Sequence, residues 1–172
     1  MMKEKYLLSI KADDRPGLLH LITGMINRRL IGIESLSAAK TDVSSIVMIT
    51  VEVLISEKAL QPLILKLENI IEVYAVDAVK ATEAIGIRSV FFKLSKAFLE
   101  TPQALVLQKY GAGIVNLYPE AVLVSKSGCD ADILNLYNQL EGPHLLGFIQ
   151  TGLIADTVLI SEDQSSVISM AA

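Results

Sequence analysis

Cysteine is nearly absent from this chain, with Cys129 the single example among 172 residues. One cysteine excludes a disulfide framework and a metal site built from several thiolates. The two histidines, His20 and His144, have no serine, cysteine or carboxylate at a spacing diagnostic of a catalytic triad or a metal site. The sequence therefore predicts no catalytic residue, no metal and no cofactor, and a reducing, cytoplasmic compartment.

Long apolar runs and dense basic clusters are also missing. No run approaches the ~18–20 apolar residues that a transmembrane helix needs, and no basic-then-apolar leader precedes Tyr6. The formal net charge is −4 and the pI is about 5.2. An acidic chain without a basic patch is poorly suited to nucleic acid. We expect neither a membrane nor a nucleic acid as partner.

Apolar residues, by contrast, are abundant. They make up 52% of the chain, and the mean hydropathy is +0.49. Because no membrane span accounts for this excess, contacts between subunits are the better explanation of the surplus apolar surface.

The segment 13–36 sets the pattern for the first half. Two aspartates end an apolar strand over residues 6–11, and Arg15-Pro16-Gly17 then begins a helix, with Pro16 suited to its first position. Apolar residues recur at the helical period up to residue 26, and alternation typical of a strand begins at Ile31. Free N–H groups at such a turn suit a small carboxylate, such as that of an amino acid. A simpler interpretation is that the aspartates only stabilise the helix N-terminus.

The same order of elements occurs twice along the chain. In the first half, a strand over 46–53, a helix after Ser56 and a strand over 70–78 complete the series, with Pro62 predicting a late start or a kink in that helix. In the second half we expect strands over 85–94, 114–117, 121–125 and 145–154. A helical segment over 95–110, interrupted near residues 101–102, and a helix over 130–140 separate them. The predicted fold class is α+β, with two tandem ferredoxin-like βαββαβ units.

The domain boundaries follow from this repeat. We predict a first domain over residues 1–79, a second ferredoxin-like domain over 84–160, and a disordered tail over 161–172.

Particular motifs resemble a known family. Residues 4–78, which carry Asp-Arg-Pro-Gly-Leu at 14–18 and Ile-Glu-Ser-Leu at 33–36, resemble an ACT domain. The Ile-Glu-Ser-Leu motif and the run 67–73 resemble the ACT form found in the small, regulatory subunit of acetolactate synthase (acetohydroxyacid synthase). The runs 114–120 and 146–152 are similar to the C-terminal domain of that family.

This resemblance implies a protein without catalysis of its own. The family binds the thiamine-diphosphate-dependent catalytic (large) subunit of branched-chain amino acid biosynthesis, raises its activity, and makes it sensitive to valine or another branched-chain amino acid. Its ACT domains pair side by side as a homodimer, and the effector lies at the seam between the turn of one protomer and the second strand of the other. The implied effector-binding residues are Asp14, Pro16, Gly17, Leu18, Gly32 and Ile33.

Two of these positions differ from the family pattern. Gly32 stands where the family has an asparagine whose amide reaches the effector, and Asp14 stands where it usually has asparagine. We therefore expect weak or absent valine inhibition, with activation of the catalytic subunit retained. Two alternatives stay open: a free-standing tandem-ACT regulator of another enzyme or of transcription, and an enzyme with an unrecognised site.

Overall fold

The computed structural model describes residues 2–155. The described chain divides into two compact units, one formed by residues 2–85 together with residues 152–155, and the other by Gly86–Thr151. No helix in the described range is long and apolar enough to cross a membrane.

The first unit is a four-stranded antiparallel sheet with two helices on one face. Its strands follow the order β2-β3-β1-β4, so β2 and β4 are the edges. In chain order the elements are β1 (Glu4–Asp13), α1 (Leu18–Asn27), β2 (Gly32–Lys40), β3 (Ile46–Ile55), α2 (Glu57–Glu68) and β4 (Val73–Lys80).

Alternation along β1 and β3 builds the core of this unit. Every second residue points to the helices, so Leu8 and Ile10 of β1 lie beside Val51 and Ile49 of β3, and all four are fully buried. The helices supply the other side of the core, with side chains three or four residues apart. Those contributed by the helices are Leu18, Ile22, Ile26, Leu63 and Leu67.

The structure corrects local details of the predictions for this unit. Helix α1 begins at Leu18 instead of Pro16, because Gly17 is in the left-handed conformation with φ 90° and belongs to the turn. Helix α2 begins after Ser56 as predicted, but the Ser56 side chain makes no capping hydrogen bond. The helix starts at Glu57 and contains Pro62, so of the two predicted alternatives, a late start or a kink, the late start is wrong.

Leu30, between α1 and β2, has an unusual backbone. Its φ is 54°, and it is the sole non-glycine residue with a positive φ within the described range. A left-handed conformation costs a residue with a Cβ about 1–2 kcal/mol relative to the right-handed one. Its N–H donates to the carbonyl of Asn27 at 2.9 Å, so this left-handed residue belongs to the turn that ends α1, and its side chain is 88% exposed.

The end of the described chain packs against the face of the first sheet that lies away from the helices. Thr50 donates a hydrogen bond of 2.9 Å to the carbonyl of Leu153, and Leu153 is itself buried. Ser35 donates to the buried carboxylate of Glu52. A Cβ added to Gly152 would lie 3.2 Å from Ser37 Cβ and 3.3 Å from Ser35 Oγ, so this segment packs closely on β2. It ends in the two-residue strand β9 (Ile154–Ala155).

The second unit repeats the arrangement. Its strand order is β6-β7-β5-β8, which corresponds one for one to β2-β3-β1-β4. The elements are β5 (Gly86–Ser95), the 3₁₀ turns Lys96–Glu100 and Pro102–Ala104, α3 (Leu105–Lys109), β6 (Gly113–Leu117), β7 (Ala121–Gly128), α4 (Asp130–Leu140) and β8 (Leu145–Gln150). The predicted fold of two βαββαβ units is therefore confirmed, as is the interruption of the helical segment near Pro102.

An ion pair anchors helix α4 to strand β5. Arg88, 6% exposed, donates from Nε and Nη2 to the two carboxylate oxygens of Asp130, at 2.5 and 3.2 Å, and contacts the carbonyl of Thr151. Strand β8 ends at Gln150, four residues before the predicted end at 154. The predicted tail, residues 161–172, lies outside the described range, and the predicted domain boundaries stay predictions.

Candidate effector site

The turn between β1 and α1 is tied to two other segments of the first unit. The backbone N–H of Asp13 bonds to the carbonyl of Glu72 at 2.8 Å, and that of Asp14 bonds to the carbonyl of Ser45, also at 2.8 Å. Gly17 then reverses the chain at φ 90°, a conformation that favours glycine. An added Cβ would meet nothing within 4 Å. The requirement for glycine therefore comes from the backbone angle and not from a lack of space.

Charged side chains surround this turn. Asp14 pairs with Lys40 Nζ at 3.4 Å, and Arg15 lies 3.9 Å from Asp13. The hydroxyl of Tyr74 donates to Asp13 at 2.6 Å, and this hydrogen bond raises the pKa of the Tyr74 phenol, because ionisation would remove the donor. Asp13 is thus held by two partners, whereas Asp14 faces Lys40 at the end of β2.

A cavity of about 550 Å³ opens beside the turn. Its polar side contains Asp14, Arg15 and His20. The remaining lining is apolar apart from the turn glycine, and consists of Pro16, Gly17, Leu18, Leu19, Ala38, Val47 and Ile49. The cavity therefore combines one acidic and two basic side chains with an apolar wall, which suits a small zwitterion with an aliphatic side chain.

The first turn of α1 adds hydrogen-bond donors to the cavity. The N–H of Leu18 makes only a long bond of 3.3 Å to the carbonyl of Arg15. The N–H groups of Leu19 and His20 lie in the first turn, where a helix offers no internal acceptor. Both residues line the cavity, so this end of the helix presents donors and a partial positive charge to an anion.

The structure brings together four of the six predicted effector residues. Asp14, Pro16, Gly17 and Leu18 line the cavity, but Gly32 and Ile33 do not. In the sheet register Gly32 lies opposite Leu54, whereas Lys40, next to the turn, lies opposite Val47. Leu54 and Val47 are seven residues apart along β3, which corresponds to roughly 23 Å of extended strand. Within one chain, the two parts of the predicted site are at opposite ends of β2.

The sequence motifs do not identify the other lining residues as part of a site. Val47 and Ile49 lie in the strand predicted over residues 46–53, and Ala38 lies on β2. The pairing of β2 with β3 places Ala38 opposite Ile49 and Lys40 opposite Val47. Alternation could have identified the apolar face, but the register that brings these strands to the turn is a property of the folded sheet.

The described part of the chain holds no cluster of three or more metal-ligating side chains. His144 Nδ1 lies 2.7 Å from Ser95 Oγ, and its ring packs edge-on against Phe98. This contact links the start of β8 to the end of β5, because the Ser95 N–H also bonds to the His144 carbonyl at 2.9 Å. We interpret it as a structural link between two strands.

The fold and the cavity at a glycine turn define an ACT domain. Residues 8–75 match the family described as the AHAS small subunit-like ACT domain, AHAS being acetohydroxyacid synthase. These residues are therefore similar to that form of the ACT domain, in agreement with the resemblance of their motifs.

Related proteins cover most of the chain. An acetolactate synthase small subunit from Haemophilus influenzae is 25% identical over 151 residues, which are 87% of this chain and 93% of that protein. One from Mycobacterium leprae is 22% identical over 87% of this chain and 89% of its own length. The crystal structure of the acetolactate synthase small subunit from Thermotoga maritima has a TM-score of 0.78 at 14% identity, covering 88% of this chain and 96% of that one. The predicted fold is confirmed, and the chain is similar to these small subunits over most of its length.

Proposed function

We propose that this chain is the non-catalytic regulatory subunit of an acetolactate synthase. It binds the thiamine-diphosphate-dependent catalytic subunit, activates it, and takes a branched-chain amino acid, with valine the first choice, at the glycine turn. The observation that supports this proposal is that the predicted effector residues lie in two groups, at opposite ends of one sheet. Four predicted effector residues line one cavity, and the other two lie on the edge strand β2 at the far end of the same sheet.

A second copy of the chain would complete the site. Strand β2 is an edge, with one side available for pairing. When an edge strand pairs with its own copy in antiparallel fashion about a twofold axis, the start of each strand lies beside the end of the other. The end of β2 is Lys40, which pairs with Asp14 at the turn. Gly32 and Ile33 of one protomer would then lie beside the turn of its partner.

The chemistry of the cavity fits a branched-chain amino acid. The N–H groups at the start of α1 accommodate the carboxylate, and the Asp14 carboxylate faces the ammonium group. Leu18, Val47 and Ile49 cover the aliphatic side chain. Full burial of an isopropyl group contributes roughly 1.5–3 kcal/mol. The site needs no metal or cofactor for this recognition.

Titration of an acetolactate synthase catalytic subunit with this protein tests the activating role. We expect the turnover rate to rise and to saturate at a fixed ratio of the two chains. Both chains should come from the same organism. A turnover rate that stays constant across a saturating titration would then refute the regulatory-subunit proposal.

The main alternative is a free-standing ACT regulator in the cytoplasm that acts on another enzyme or on transcription. A pull-down from native extract with mass identification separates the two functions. Recovery of an acetolactate synthase large subunit supports the proposal. A stable complex with a different enzyme or a transcription factor instead supports the alternative.

A further inference from the structure

Ile71 is the most exposed large apolar side chain in the described part of the chain, at 95%. It lies in the turn between α2 and β4, directly after Ile70 and two residues before Val73, and both of these are buried. A single exposed apolar residue needs no explanation. This one, however, stands on a fixed turn and has neighbours that are typical of a protein–protein interface.

Backbone hydrogen bonds fix this turn. The N–H of Val73 donates to the carbonyl of Ile70 at 2.9 Å, and the N–H of Asp13 donates to the carbonyl of Glu72 at 2.8 Å. The turn is therefore tied both to itself and to the end of β1. Because Ile71 is presented from a held backbone, a partner that covers it loses little entropy in ordering the segment.

Two further exposed side chains connect to the turn through Asp13. The hydroxyl of Tyr74, a residue that is 60% exposed, donates to the Asp13 carboxylate at 2.6 Å. The Arg15 side chain is 65% exposed, and its Nε lies 3.9 Å from the same carboxylate. Tyrosine and arginine are enriched in interfaces and among the residues that dominate binding energy. We call Ile71, Tyr74 and Arg15 together the Ile71 surface.

The position of this surface leaves it free in a dimer formed through β2. Tyr74 lies on β4, the edge of the sheet opposite to β2, so pairing of β2 with a second copy covers neither Tyr74 nor the turn before it. Whatever binds the Ile71 surface is therefore a different partner.

Charge indicates the chemistry of that partner. Glu68 ends α2 and Glu72 follows Ile71 directly. Among the described residues, neither glutamate has an ion-pair partner. An apolar side chain between two free carboxylates is complementary to an apolar pocket with a basic rim.

We propose that the catalytic subunit binds the Ile71 surface, with Ile71 in an apolar pocket rimmed by lysine or arginine side chains. This inference rests on the proposed function, which supplies the partner. Arg15 belongs to this surface and also lines the amino-acid cavity. The bound subunit therefore lies next to the turn at which an amino acid would bind.

Replacement of Ile71 by serine tests the apolar contact. In Ile71→Ser, the concentration of this protein that gives half-maximal activation of the catalytic subunit should rise at least about tenfold. Ile85→Ser is the matched control, because Ile85 is 73% exposed between β4 and β5, outside the Ile71 surface. Its half-maximal concentration should not change. Melting temperatures of both variants should equal that of the unaltered protein, since both side chains are exposed.

A double variant tests the charges. Binding of the unaltered protein to the catalytic subunit should weaken as the salt concentration rises, because salt screens the two glutamates. Glu68→Gln with Glu72→Gln should bind more weakly at low salt and depend less on salt. Glu100→Gln with Glu141→Gln is the control, since both residues are exposed in the second unit. A double variant with unaltered affinity and salt dependence refutes the basic rim.

The two proposals fail in different ways. If the unaltered protein activates the catalytic subunit and Ile71→Ser has the same half-maximal concentration, the Ile71 surface is not the binding surface, and the regulatory function stands. If the unaltered protein itself does not activate the catalytic subunit, the proposed function is refuted, and this inference with it.

Discussion

Asp14 and Lys40 form a charge pair of 3.4 Å that joins the glycine turn to the last residue of the edge strand β2. Both side chains are partly exposed, at 39% and 78%, so the pair adds little to stability. Its importance is that it occupies the carboxylate proposed to face the ammonium group of an amino acid. Under that proposal, Lys40 would compete with the effector for Asp14.

Replacement of Lys40 by methionine should strengthen valine binding. An exposed ion pair is worth up to about 1 kcal/mol, so its removal gives at most about a fivefold gain in affinity. An NMR titration measures such weak binding. Lys5→Met is the control, because Lys5 lies 4.0 Å from Glu34 with 44% exposure and does not line the cavity. Weaker valine binding in Lys40→Met would mean that the ammonium of Lys40 itself holds the effector carboxylate.

Gly32→Asn should restore a hydrogen bond to the effector. A hydrogen bond to a charged group contributes roughly 1.5–3 kcal/mol, which corresponds to a gain of one to two orders of magnitude in valine affinity. Within its own chain, a Cβ built on Gly32 meets nothing within 4 Å.

Gly24→Asn is the matched control for that substitution. Gly24 lies in α1, its added Cβ also meets nothing within 4 Å, and it does not line the cavity. Valine affinity should be the same in Gly24→Asn as in the unaltered protein. Tight valine binding by the unaltered protein would show that a group other than residue 32 supplies the hydrogen bond.

Gly17→Ala should lower the free energy of unfolding by about 1 kcal/mol, because alanine is strained at φ 90°. Gly32→Ala is the control, because it makes the same glycine-to-alanine change at a residue outside the left-handed turn. Both sites have open space for a Cβ, but only Gly17 has a positive φ. Thermal or denaturant unfolding of the two variants gives the comparison. Equal stability of the two would contradict the role assigned to the left-handed turn.

The Tyr74–Asp13 hydrogen bond predicts a pH dependence at alkaline pH. The bond raises the pKa of Tyr74 above its usual value of 10.0, so the folded state favours the protonated phenol. The resulting stability is fully present below pH 10 and is lost as the pH rises through the raised pKa of the folded state.

Tyr74→Phe measures this contribution. The difference in unfolding free energy between the unaltered protein and Tyr74→Phe should be present at pH 8 and should disappear above the raised pKa. Tyr118→Phe is the control for the loss of a tyrosine hydroxyl as such, because it removes an exposed hydroxyl in the second unit. A difference that stays constant from pH 8 upward would contradict the bond between Tyr74 and Asp13.

Local sequence patterns were sufficient to predict the two βαββαβ units. Alternation along residues 46–53 and the helical period after Gly17 both depend on near neighbours in the chain, and helix α4 has the predicted bounds, Asp130–Leu140. The turn conformation was harder to predict. Pro16 suits the start of a helix, but the left-handed angle of Gly17 delays α1 to Leu18.

The candidate site was only partly predictable, for a physical reason. The turn residues are consecutive, so one motif reveals them. Ala38, Val47 and Lys40 reach the turn only through the register of three strands, which no short motif encodes. The strained backbone of Leu30 was also invisible, since an apolar residue before a strand has no unusual pattern. Family resemblance supplied Gly32 and Ile33, which lie far from the turn in the single chain.

The hydrogen bond from Thr50 to Leu153 spans 103 positions in the chain, and this has a consequence for the order of folding. During synthesis the first sheet emerges long before the segment that buries its far face, and the whole second unit is made in between. The hydrogen bond between Thr50 and Leu153 therefore cannot form until residue 153 has been released. The second unit is in this sense an insertion within the first, and we expect the contact across that long loop to form late in folding.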